Sequence, residues 1–373
     1  MRRFIIVRFC LVVWLTCVTL YGSQHVFATH PDGYFPEAAA PRHMPEQAIV
    51  PHVALILPLQ SRSFGPAAEM VKQGFAIAAE REAALPLVVR IYSTTEDPLD
   101  ILITYHRALD AGAVFIVGPL TRNGVTALAS SHVVMVPTLA LNATDQDMML
   151  PANLFLFGLQ SESEAAHIAE MALSTEKNHA IIIKDRSGLS QRLQQAFADR
   201  WLAEYGHTAE SIDYDDHQGF FSQLRKYTAG EQNLVFLTLD ADEVRRVRPY
   251  LDPQTPVFAT SQVFITNQDP LFKHDLNGVR FMDMPWMLQP DHPAVMAYRD
   301  SDNSRDKDKE RLFALGIDAF RLMRHMLQAH SPYSIAFDGV TGDIRFVPPA
   351  HFIREPVAAQ FDQGKVRVLE KRQ

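Results

Sequence analysis

Two acidic pairs, Asp215-Asp216 and Asp240-Asp242, are the first residues of this chain whose spacing could run general acid and base chemistry. Both fall at strand-to-helix turns, where Asp also caps a helix N-terminus, and capping is the stronger reading. None of the 15 histidines stands at helical ligand spacing from another His or a carboxylate in a pattern that departs from chance. His167, on a helix face, reads as a surface or packing residue. The chain has no Gly-x-Ser-x-Gly elbow, no Gly-x4-Gly-Lys phosphate loop, no His-Glu-x-x-His, no Gly-x-Gly-x-x-Gly and no calcium loop. The residues therefore nominate no catalytic group, no metal ligand and no cofactor.

Binding chemistry is better supplied. In open α/β folds, function sits at the carboxyl ends of the strands, where loops and helix N-termini meet a crevice. That rule selects Gln60, Ser61 and Arg62 after a first strand, Leu120, Thr121 and Arg122 after a third, and Asn142 after a fourth. A second series adds Asp185, Arg186, Asp240 and Gln262. Thr121 either caps the helix that follows or, with Arg122 and the free amides there, holds a carboxylate or phosphate.

The elements that must position these residues begin behind a leader. Arg2, Arg3 and Arg8 precede an uncharged, mostly apolar run from Phe9 to Tyr21, too short to span a bilayer. Val26-Phe27-Ala28 follows, which predicts a signal peptide over 1–28 with cleavage before Thr29. Neither Cys10 nor Cys17 has the small residue before it that a lipidation signal needs, so the leader predicts export without lipid. Both cysteines lie in the leader, leaving the mature chain without disulfides, sulfur ligands or a thiol nucleophile. The formal charge of −8 falls further when the three leader arginines go, and an acidic exported chain is a poor nucleic-acid binder. The basic clusters Arg245-Arg246-Arg248 and Arg321 with Arg324 read as solvated helix faces.

Residues 29–50 carry four prolines with little apolar periodicity and read as a Pro-rich spacer. From His52 onward strand-like and helix-like segments alternate, the pattern of parallel βαβ units. Val53 to Leu59 is an unbroken apolar run suited to a sheet covered on both faces, and Phe64 to Ala84 follows as an amphipathic helix. The alternation is too long for one open sheet, and the Asp-, Met- and Pro-rich break from Asn142 to Pro151 suggests two Rossmann-like lobes. The expected division is 52–142 plus 289–330 for lobe 1 and 143–288 plus 331–370 for lobe 2, an α/β architecture with three crossovers around a cleft. Trp286 adjoins a crossover, where it serves either as hinge packing or as a partner-interface anchor.

Several segments carry a family likeness. Ala54 to Leu59 with Gly74-Phe75 resembles the opening of the type I periplasmic-binding-protein fold. Val117-Gly118-Pro119-Leu120, Val136 to Asn142, Asp275 to Val279 with Asp283 to Trp286, Leu315 to Ala319, Phe337 to Gly342 and Arg354 to Gly364 follow in order. Together they resemble the C-terminal domain of the Lpo-type penicillin-binding-protein activators. The likeness covers His52 to Leu369, without the helical-repeat domain that precedes it in that family, and Ala358 stands where the family has a Trp before Ala-Gln-Phe. It implies a non-catalytic regulator in the periplasm, peripheral to the outer membrane, that binds and stimulates a class A penicillin-binding protein, a bifunctional peptidoglycan synthase. The alternative reading is a solute-binding protein that closes on an amino acid or related small anion.

Overall fold

The computed structural model describes residues 50–82, 87–146, 148–265, 270–299 and 307–370. The described residues all belong to one compact unit, Ile49–Gln373. The predicted signal peptide and nearly all of the Pro-rich spacer lie outside the described residues.

The first series runs β1 (His52–Leu57), α1 (Gly65–Arg81), β2 (Val88–Ser93), α2 (Pro98–Asp110), β3 (Ala113–Val117), α3 (Arg122–Ala129), β4 (Thr138–Ala140) and β5 (Leu154–Leu156). The second runs α4 (Ser161–Leu173), β6 (His179–Lys184), α5 (Gly188–Tyr205), β7 (Glu210–Asp213), α6 (Gln218–Thr228), β8 (Asn233–Leu237), α7 (Ala241–Val247), β9 (Val257–Ala259), α8 (Pro270–Asp275) and β10 (Val279–Asp283). After the short helices α9 (Pro285–Leu288) and α10 (Pro293–Met296) come α11 (Lys307–Gln328), β11 (Ala336–Asp338), β12 (Asp343–Val347), β13 (His351–Glu355), β14 (Val357–Asp362) and β15 (Lys365–Val368).

These strands form two sheets, ordered β11-β12-β13-β5-β4-β3-β1-β2 and β15-β14-β10-β9-β8-β6-β7. The α/β, two-lobed expectation holds. The chain crosses between the sheets after β5, after β10 and after β13, which makes the three connections expected of a hinged cleft.

The lobe boundaries need correction. β5, expected to open lobe 2, pairs in parallel with β4, Thr138 opposite Leu154 and Ala140 opposite Leu156. The break at Asn142 to Pro151 is thus a connection within lobe 1, and its turn-rich composition cannot distinguish that from a domain boundary. The tail divides as well. β11 to β13 extend the lobe 1 sheet, with His351 beside Leu156, and only β14 and β15 return to lobe 2. β13 follows Pro348-Pro349, which reads in sequence as punctuation and conceals a strand.

Packing follows the strand period of two. Val53, Leu55 and Leu57 face the core shared with α1 and α11, while Ala54 and Ile56 face the core that holds Tyr105 of α2 and Val125 of α3. All six residues of β1 are buried, which is why its sequence shows no alternation. α1 and α11 lie against each other so closely that their glycines are required. A Cβ on Gly74 would stand 1.9 Å from the Phe313 carbonyl oxygen, and one on Gly316 would stand 2.1 Å from that of Val71. Backbone cannot yield as a flexible side chain can.

Gly316 makes the packing testable by sign. In a free helix Gly→Ala adds about 0.5–1 kcal/mol of stability. Here Gly316→Ala is expected to cost about 2–3 kcal/mol because the helices must separate. Urea denaturation measures it, and a stabilised variant would refute the close approach.

Candidate functional site

The strand ends nominated from sequence meet around the two lobes, but the side chains are used differently from expectation. Ser61 is buried and accepts a hydrogen bond from the Phe64 amide at 2.9 Å, so it closes a turn. Arg62 is exposed and lines an open polar depression with Gln60, Thr95, Glu96, Asp97 and Asn123. Asn142 donates to the Leu120 carbonyl at 2.9 Å and accepts from the Ala143 amide at 2.9 Å, fastening two loops to each other. Arg186 is exposed and Gln262 half-buried on lobe 2.

Thr121 occupies the N-cap position of α3, yet its side chain caps nothing. Its Oγ is buried without a partner among the described residues. The capping reading is corrected, because no amide of the first turn donates to the hydroxyl. Beside it, Arg122 does hold a carboxylate. Both oxygens of Glu162 accept from its Nη2, at 2.7 and 2.8 Å. Arg192 donates its Nε to the same Glu162 at 2.8 Å. The anion that sequence expected from a solute is supplied by α4 of the other lobe. Burial pushes the Glu162 carboxyl up, but its own backbone amide and the two arginines outweigh it and leave the group below its ordinary value.

Of the acidic pairs, Asp240 caps α7 and Asp215 closes the turn before α6. Asp240 accepts from the Glu243 amide at 2.8 Å while Glu243 accepts from the Asp240 amide, a reciprocal capping box, and Asp215 accepts from the His217 amide. The basic clusters are paired: Arg245 with Asp275, Arg246 with Asp216, and Arg324 with Glu82. Trp286 is 1 % exposed, packs on Phe313 with ring centroids 5.6 Å apart, and lies under the Arg299 guanidinium. The indole is packed inside the fold and not displayed on a surface.

Sequence reasoning missed a charge cluster at the crossovers. Arg311 of α11 binds Asp283 at the end of β10, with Nη2 at 2.5 Å and Nε at 3.1 Å, and also donates to the carbonyls of Ser261 and Phe264. Asp283 is 3 % exposed. Glu164, equally buried in α4, accepts from both the amide and the hydroxyl of Ser261. Asp318, fully buried in α11, accepts from the amides of Val340 and Thr341 and from the Thr341 hydroxyl. Arg354 of β13 completes the group, and burial lowers its pKa against the pull of Glu164 and Asp283. Glu162 and Glu164 read in sequence as ordinary first-turn acids. Their partners lie 30 to 97 residues away, and a single sequence carries no signal for pairing at that distance.

Burial, reinforced by the neighbouring Asp283, raises the Glu164 carboxyl from 4.5 to about 7. Glu164 thus stays protonated in the fold over a range where the unfolded chain has ionised it. Its contribution to stability is complete below pH 4.5 and is lost as pH rises through about 7. Glu164→Gln does not titrate, so its stability relative to the parent is expected to rise by roughly 2 kcal/mol across that window. Denaturation over a pH series checks this, and a constant difference would contradict it.

Comparison with known proteins places this geometry in a family. The family model described as "LppC putative lipoprotein" matches residues 23–226 and 222–364. The penicillin-binding protein activator LpoA of Haemophilus ducreyi is 26% identical over 333 residues, covering 86% of this chain and 55% of that protein. The chain thus spans about half the length of the curated relatives it matches. Among solved structures, the LpoA C-domain from Haemophilus influenzae, described as a regulator of PBP1A, superposes with a TM-score of 0.73 at 22% identity, over 86% of this chain and 100% of that one. A "putative branched-chain amino acid ABC transporter" from Chromobacterium violaceum superposes with a TM-score of 0.71 at 33% identity, over 83% and 99%. The lipoprotein description runs against the expectation of export without lipid, a reading that rests on residues outside the described ones. The family model spans most of the sequence, and this chain belongs to the LppC family.

Proposed function

We propose that this chain is a periplasmic, outer-membrane-associated regulator that binds a class A penicillin-binding protein and stimulates its peptidoglycan synthesis, with no chemistry of its own. The observation that carries the reading is the continuous likeness to penicillin-binding protein activators over 86% of the chain. The geometry supports it. A solute trap presents an unsatisfied cation and amides to its ligand, whereas Arg122 already holds Glu162 and Asn142 is committed to loop contacts. What remains available to a partner is the outer surface of the lobes.

The solute-binding reading has one specific observation in its favour, the 33% identity to the Chromobacterium violaceum protein named for branched-chain amino acid transport. The two readings separate experimentally. Added to a purified class A synthase, the full chain is expected to bind it in pull-down and to raise its rate of glycan polymerisation or crosslinking. Leucine, isoleucine and valine are expected to leave its melting temperature unchanged, since a ligand raises it only by binding the folded state. Absence of any association with the synthase, together with a melting temperature that climbs with amino-acid concentration, would replace the activator reading with the transport one.

A further inference from the structure

The lobes touch through charge at two places. At the cleft, Arg122 of lobe 1 meets Glu162 of lobe 2 with both carboxylate oxygens engaged, and Arg192 holds that carboxylate from the far side. At the crossovers, Arg311 of lobe 1 reaches Asp283 and the carbonyls of Ser261 and Phe264, all in lobe 2. The positions along the chain matter as much as the contacts. Glu164 stands in the first turn of α4, just past the first crossover. Asp283 is the last residue of β10, at the start of the second. Arg354 lies next to the end of β13, at the start of the third. One titratable residue therefore flanks each connection, and of these it is Asp283 that an ion pair ties across to the other lobe.

Hinged traps rock because a few residues at the crossovers absorb the backbone rotation. Here such rotation would part Arg311 from a carboxylate that is 3 % exposed, leaving a buried charge uncompensated. It would also separate Arg122 from Glu162. We propose that these two ion pairs, Arg122–Glu162 across the cleft and Arg311–Asp283 at the crossovers, lock the lobes in one orientation, so that the cleft neither opens nor closes around a solute. The lock is independent of which partner the surface binds.

The test is an interlobe distance distribution measured by electron–electron double resonance. Nitroxide labels are placed through Arg62→Cys and Arg186→Cys, two exposed positions on opposite lobes, in the full chain carrying Cys10→Ser and Cys17→Ser. The parent is expected to give one narrow distribution, unchanged by a mixture of the twenty amino acids. Arg311→Met is expected to broaden or shift it while circular dichroism remains that of the parent. Should Arg311→Met not fold, Arg122→Gln decides, because its half-exposed pair can be removed without burying a lone charge. Two populations in the parent, a shortening on adding amino acids, or a folded variant as narrow as the parent would each overturn the lock.

Discussion

The contact on which the rest of this structure depends is the one between Arg311 and Asp283. It joins the long helix of lobe 1 to the last parallel strand of lobe 2 beside the second crossover, with Asp283 out of reach of solvent and Arg311 half-buried. A buried ion pair seldom adds stability over a well-packed apolar pair, since desolvation offsets the Coulomb gain. What it fixes is geometry. A guanidinium with four acceptor contacts has one workable orientation, and it carries α11, and with α11 the whole α1 face of lobe 1, into register with lobe 2. The glycine contacts between α1 and α11 extend that register into the core, because the two helices cannot slide apart without losing their backbone contact.

Much of the architecture could be read from the sequence because it rests on local pattern. The apolar run of β1, the amphipathic stripe of α1 and the cap at Asp240 each carry their signal within a few residues. What failed was long-range. β5 looked like the start of a lobe because nothing in Leu154 to Leu156 says which neighbour it pairs with. β13 lay hidden behind two prolines, and the assignment of β11 to β13 to lobe 1 depends on one parallel contact between His351 and Leu156.

The candidate site divides in the same way. Arg122 stands out in sequence because strand ends and helix N-termini are local features, and the carboxylate it meets in the fold is that of Glu162. Glu162 and Glu164, two residues apart at the start of α4, serve different ends, one bridging the cleft and the other buried at the crossovers. Only the fold separates them. Thr121 and Trp286 invite functional readings as polar and aromatic residues near a cleft, and both are buried in the fold.

With Arg122 engaged by Glu162 across the cleft, the proposed activator role looks to the outer faces of the lobes for recognition. Hydrogen–deuterium exchange of the full chain, with and without a class A synthase, tests that claim most directly. The account predicts protection on a continuous outer surface of one or both lobes, with the loops around Arg62, Arg122 and Arg186 unchanged. Protection confined to those loops, and elicited equally by an amino acid in place of the synthase, would contradict it.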